Sequence, residues 1–195
     1  SSVLPKEKGL NIPVDMSFAF HSDAGTTMDN TIIGTLGIYS TKGGKYENGT
    51  DRLVSHKLTN YVMTNICNDV SAQFDSMWDK SYFEARVPEV PAMLLELLSH
   101  QNLADMRYGL DPAFRFTVSR AIYKGIVEFF ANQEGIKNYE FQPLPVNSFA
   151  VTPAGEKSFK LTWKPTADTL STRADAKSYI VYERTGEGGF RQVAI

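Results

Sequence analysis

The 195-residue chain contains one cysteine, Cys67. A single thiol cannot build an internal disulfide framework and excludes zinc sites made from several thiolates. Histidine is scarce as well: His21, His56 and His100 are the three imidazoles available to any metal or acid–base site. Neither sign of charge is in excess, with 20 Lys and Arg against 22 Asp and Glu and a formal net charge of -2. Without a basic field to draw in phosphate backbones, nucleic acid is not the expected partner. No apolar run approaches the roughly 20 residues that cross a bilayer, and the opening residues SSVLPKEKGLN lack a signal peptide's apolar stretch. The sequence therefore predicts no membrane span.

What is present is a globular composition, 42% hydrophobic and 12% aromatic, which rules against a disordered chain. Apolar residues crowd positions 13–20 and give way to His21-Ser22-Asp23-Ala24-Gly25, the pattern of a buried strand running into a polar loop. Residues 32–39 form a second β-rich run, followed by a glycine-bearing loop. From Asp51 the period becomes helical, with Val54, Leu58, Tyr61, Val62, Ile66, Val70 and Phe74 on one face. The run PAMLLELL, residues 91–98, suits a strand covered on both faces and interrupted by one acid, Glu96. Asp111-Pro112 then opens a helix, because aspartate caps free amides and proline at the first helical position gives up no useful donor. Its buried stripe runs through Val118, Ala121, Ile122, Gly125, Ile126, Phe129 and Phe130 and stops near Gly135.

This order predicts an α/β sheet with flanking helices over residues 1–142. Beyond a proline-bearing linker, residues 143–195 read as short alternating strands, at 148–151, 158–163 and 178–182, and predict a small all-β domain.

Ligands of open α/β sheets sit beyond the carboxyl ends of the strands, which directs attention to His21 and Glu96. A carboxylate among Leu94, Leu95, Leu97 and Leu98 is costly to bury unless a positive or hydrogen-bonding group answers it. Arg86 and Arg107 are structural candidates for that answer, and a metal ion held by an imidazole is a functional one. A carboxyl in an apolar wall has raised proton affinity, which suits it to move a proton from metal-bound water to a leaving amine. His100 follows Glu96 by four residues, about 13 Å along a continuing strand, so it cannot share an ion with Glu96 unless the chain turns between them. His56 is expected at the surface and Cys67 on the packed side of its helix.

The segments SFAFHSDAG, GTLGIYST, VPAMLLELLSHQN and LDPAFRFTVSRAIYKGIVEFF together resemble the latter half of the zinc-dependent N-acetylmuramoyl-L-alanine amidase family, over residues 13–132. The likeness is closest to a Bacteroidetes branch often labelled xanthan lyase. It implies that His21 is a zinc ligand, Glu96 the catalytic acid–base, and Asn102 the asparagine that follows it. Asp23 and Arg86 are further candidates for contact with substrate or with the ligands. The family reads His-Ala-Asn where this chain has His21-Ser22-Asp23. Its first two zinc ligands precede the region that matches residue 1 onward, so the resemblance implies a fragment, inactive in isolation, of an enzyme that needs Zn2+. It further implies a peptidoglycan or other cell-surface glycan partner and a periplasmic or extracellular location.

The tail, with FKLTWKP around Trp163 and SYIVYER around Tyr179, resembles the opening strands of a fibronectin type III domain, with Trp163 as a core residue. About 50 residues supply only part of such a sandwich. Two other functions remain open at this point. One is a polysaccharide lyase using Tyr82, Arg86 and His100; the other is a non-catalytic carbohydrate-binding or adhesion protein.

Overall fold

The computed structural model describes residues 13–29, 31–71, 76–156 and 158–195. The chain divides into two compact units, Ser1–Lys137 and Asn138–Ile195, so the proline-bearing segment around residue 143 belongs to the second.

In the first unit a four-stranded sheet has the order β1-β4-β2-β3, with β1 at Ser17–Asp23, β2 at Thr35–Tyr39, β3 at Met77–Asp79 and β4 at Ala92–Ser99. Strand β4 is parallel to β1 and antiparallel to β2. The sheet is therefore mixed. The apolar run of β4 is explained by its central position: Ala92, Met93, Leu94 and Leu95 are all buried, covered on both faces.

The two faces are covered very unequally. On one lie α1 (Leu53–Asp69) and α4 (Pro112–Gln133). There Leu58, Val62, Met63 and Ile66 of α1 and Val118, Ala121 and Phe129 of α4 enclose Met93 and Leu95. A Cβ on Gly37 of β2 would come within 2.7 Å of Thr59 and 2.8 Å of Met63, so the bare backbone lets α1 lie close to the sheet. Gly125 does the same between the helices: a Cβ there would meet the Val62 backbone at 2.6 Å. At the same interface Lys124 Nζ donates to Asp69 Oδ1 at 2.8 Å, both side chains being buried. Helix α4 starts as expected, with Asp111 Oδ1 accepting from the Ala113 amide at 2.9 Å. Of the expected face of α1, Phe74 lies outside the described residues.

Among the described residues the opposite face carries α2, the single turn Phe83–Arg86, where Ala85 packs with Ile38 and Leu94. The α1 terminus holds this turn in place. Arg52 is buried, and its Nη1 donates to the carbonyls of Arg86 (2.9 Å) and Pro88 (3.4 Å) while Nη2 pairs with Glu89 (2.8 Å). Beyond β4, the short helix α3 (Leu103–Gly109) leads into α4.

The second unit forms two separate antiparallel pairs, β5 (Asn147–Gly155) with β6 (Ser158–Lys164) and β7 (Val181–Glu183) with β8 (Arg191–Ala194). The sequence predicts only the opening part of a sandwich, and the described residues show two strand pairs without a closed interior. Trp163 is half-buried rather than core, with Tyr179 edge-on at 5.3 Å between centroids. Among the described residues of this unit, Phe141 and Ala174 are the buried apolar ones, too few to close two strand pairs over a common interior.

Candidate active site

The expected pair meets, though not at strand ends. His21 lies within β1, which continues to Asp23 through a register shift, and Glu96 lies in the middle of β4 as its direct parallel neighbour. Partnered residues of adjacent strands share a face. Ala19 and Leu94, two positions earlier, belong to the cluster beneath α2, so His21 and Glu96 project from the sparsely covered face. Glu96 Oε1 is 3.9 Å from His21 Nδ1. Too long for a hydrogen bond, this distance still leaves the imidazole and the carboxyl close enough to interact electrostatically.

The other ring nitrogen, Nε2, faces Glu84 Oε1 of α2 at 3.4 Å. An imidazole with a carboxylate at each nitrogen is oriented from both sides. Glu84 was not anticipated, since a one-turn helix has no periodicity to reveal it.

The Glu96 side chain is 20% exposed, and its Oε2 is buried without a hydrogen-bond partner. Burial in the leucine wall holds its carboxyl above the ordinary carboxylate range; His21 opposes that shift, while the charges of Asp23 and Glu84 add to it. Neither Arg86 nor Arg107 acts on it. The Arg86 carbonyl serves the Arg52 clamp, so the structure gives Arg86 a part in positioning α2.

Beside Glu96, on the β2 and β3 side, a pocket of about 160 Å³ is lined by Asp23, Ile33, Gly34, Leu36, Trp78 and Glu96 among others. Trp78 of β3 is 47% exposed and is paired with Ile38, which puts it on the same open face. Asp23 borders this pocket and turns one oxygen back to the Ala24 amide at 2.6 Å.

Asn102 is buried and fully engaged. Its Oδ1 accepts from the Asp105 amide (3.0 Å), and its Nδ2 donates to Thr27 Oγ1 (3.1 Å) and the Thr31 carbonyl (2.9 Å). Asp105 in turn accepts from the amides of Ile33 (3.0 Å) and Ser99 (2.8 Å). The two residues fasten the 24–34 loop against the end of β4, so Asn102 shapes the pocket from behind and does not reach substrate.

His100 lies past a turn, after Leu98 adopts φ 60°, and its Nδ1 faces Ser22 Oγ at 3.0 Å. Of the lyase trio, Tyr82 and Arg86 are joined among the described residues by a backbone hydrogen bond, from the Arg86 amide to the Tyr82 carbonyl at 2.9 Å, and no side-chain hydrogen bond or ion pair links either to His100. His56, expected at the surface, is half-buried with Tyr39 edge-on at 4.9 Å.

The fold over about 60% of the chain is similar to that of several solved structures, among them two amidases. One is the CwlD amidase from Clostridioides difficile in complex with the GerS lipoprotein, at a TM-score of 0.52 and 15% identity, with 63% of this chain and 57% of that one covered. The α/β fold is amidase-like. The second is an N-acetylmuramoyl-L-alanine amidase from Clostridium difficile 630, at a TM-score of 0.50 and 15% identity, covering 61% of this chain and 59% of the other. The chain thus spans less than two thirds of the length of these amidases. No protein-family model and no curated protein matches it.

A catalytic zinc ion needs about three protein ligands and a water. Among the described residues no three His, Cys, Asp or Glu side chains converge to hold a metal, and both nitrogens of His21 face carboxylates. These residues do not make a zinc site by themselves. What they do offer is a carboxyl of raised proton affinity, beside an imidazole and bordering a pocket. Among the described residues no helix is long and apolar enough to cross a membrane.

Proposed function

We propose that the first unit carries the proton-transfer side of an amidohydrolase site acting on the amide between N-acetylmuramic acid and L-alanine in peptidoglycan, and hence on the cell wall outside the cytoplasm. The observation that carries this reading is Glu96, an acid with one buried, unpartnered oxygen in an apolar wall, opening on a pocket of an amidase-like fold. Amide hydrolysis needs one group that accepts a proton from the attacking water and returns it to the departing nitrogen. A carboxyl whose proton affinity is raised toward neutrality does both.

Glu96 takes that role. His21 stands beside Oε1 of the carboxylate, and Glu84 faces the imidazole from its far side. Zinc binding through His21 would require one ring nitrogen to turn from Glu84 or Glu96 to the metal, with the other ligands supplied from outside the described residues.

The test is release of peptides with a free L-alanine amino terminus from purified peptidoglycan by the native protein, assayed with and without added zinc. Glu96→Gln is expected to lower the rate about 10²- to 10⁴-fold, the usual contribution of a general acid–base. Full activity in this variant would remove the reading. A metal dependence left unchanged by His21→Ala would remove His21 from the metal.

A further inference from the structure

We infer that the second unit carries a binding site of its own, a polar cavity that takes a zwitterion: an α-ammonium and an α-carboxylate on one carbon. The inference goes beyond the amidohydrolase reading and does not depend on it. The cavity, of about 480 Å³, is lined from residues 138–140 and 172–177, and its size falls within the ordinary range of small-ligand sites. Apart from Tyr139 the lining side chains are polar or charged, so the cavity suits a charged solute rather than an apolar one.

Its two walls are tied together through the backbone. The Phe141 amide donates to the Arg173 carbonyl at 2.9 Å, and Ser171 Oγ accepts from the Arg173 amide at 3.2 Å. Ala174 is buried and anchors the second wall, while the residues on either side of it, Arg173 and Asp175, are exposed and line the cavity.

The charges on these walls are of two kinds. Lys177 and Glu140 form an ion pair and neutralise each other. Arg173 and Asp175 do not meet, and Asp175 has no hydrogen bond or ion pair among the described residues. The Arg173 guanidinium is set in place from one side: its carbon lies 4.5 Å from the Tyr139 ring centroid, and its Nη1 donates to the Tyr139 carbonyl at 3.0 Å. Its Nε and Nη2 are left without an acceptor among the described residues, and they form the planar edge that binds a carboxylate through two parallel bonds. A guanidinium already held in one orientation loses less freedom on binding.

A carboxylate alone would be repelled by Asp175, and an ammonium alone by Arg173. A zwitterion answers both, with its carboxylate on Arg173 and its ammonium on Asp175. Asn138 and Thr172, the uncharged polar residues of the lining, are left to hydrogen-bond the atoms beyond the α-carbon. The same group occurs in two kinds of molecule: a free amino acid, and a peptide residue whose side chain ends in a free amino acid centre.

The test is titration of the native protein, followed by backbone amide chemical shifts, with L- and D-glutamine and with the N-acetyl and α-amide derivatives of the hand that binds. Nε-acetyllysine, whose zwitterion stands at the end of an amide-linked chain, represents the peptide source. Glutamine is expected to shift the amides of residues 172–177 saturably. Removing either of its charges should weaken binding about five- to ten-fold, the loss of one charge-assisted contact. Asp175→Asn should weaken glutamine by the same factor and leave the N-acetyl derivative unchanged; Arg173→Gln should weaken glutamine and leave the α-amide unchanged. Asp175 has no partner to lose, so its variant keeps the fold and reads the site even where Arg173→Gln releases Tyr139.

A response to glutamine assigns the site to free amino acids, and a response to Nε-acetyllysine assigns it to such peptides. No saturable shift with either, equal affinity for the three glutamine forms, or equal weakening of glutamine and its N-acetyl derivative by Asp175→Asn would overturn the assignment.

Discussion

Replacing Glu96 by glutamine should make the protein more stable and less active at once, and the stability gain should appear only above acidic pH. The carboxyl is four-fifths buried, one of its oxygens has no partner, and Glu84 and Asp23 bring like charge near it. Glutamine keeps the shape and removes the charge, but still leaves a buried polar atom. Of the roughly 1–3 kcal/mol that an unsatisfied buried polar group costs, about 1 kcal/mol should be recovered. The sign with pH follows from proton counting. Native Glu96 holds its proton above the ordinary value of 4.5, so between that value and the raised native one the folded state binds more protons than the unfolded state. Stability attributable to Glu96 is therefore complete below about pH 4.5 and is lost as pH rises through the native pKa. Glutamine does not titrate. The two proteins should unfold together in urea near pH 4 and diverge above it, with the variant ahead by about 1 kcal/mol at pH 7.5, or about 2–4 °C in Tm, at unchanged m. A variant less stable than the parent at pH 7.5, or a difference flat across pH, would refute the claim that burial dominates at this carboxyl.

Two further substitutions probe the scaffold. Gly125→Ala puts a methyl group 2.6 Å from the Val62 backbone, which cannot rotate aside. After crediting about 1 kcal/mol of helix propensity, overpacking should leave a net loss of about 1–2 kcal/mol in thermal or urea unfolding, and a stabilised protein would contradict the close α1–α4 contact. Asp105→Asn sets an amide NH2 against one of two backbone donors, those of Ile33 and Ser99. It should cost about 2 kcal/mol and speed hydrogen exchange at Ile33 more than at Leu95, whereas uniform exchange would show that Asp105 does not fasten the loop.

The elements visible in the sequence were those long enough to have a period or marked by chemistry at their ends. Helix α4 announced itself through Asp111-Pro112, and β4 through an apolar run that only a central strand requires. His21 and Glu96 were singled out as lone polar residues after or within apolar runs, but their adjacency depends on β1 and β4 being parallel neighbours, which no local pattern encodes. Glu84 and Trp78 were missed because α2 and β3 have four and three residues, less than either periodicity needs. Asn102 and Asp105 did carry a readable signal: a capping residue followed three positions later by an acid marks a helix start, and it would have indicated that Asn102 is occupied by the fold. The second unit was read as a sandwich because alternation fixes which side chains share a face and says nothing about whether two faces close on each other.

The single-turn α2 is too short to persist on its own hydrogen bonds, yet it supplies Glu84 to the imidazole. Its place is held by Arg52, the first residue ahead of α1, whose guanidinium grips the carbonyls of Arg86 and Pro88. The helix that seals the far side of the sheet therefore also holds the wall of the reactive side, like a lever passing around the edge of β4. A displacement of α1 should therefore be felt at Glu84 and the His21 imidazole, on the face of the sheet that α1 itself does not cover.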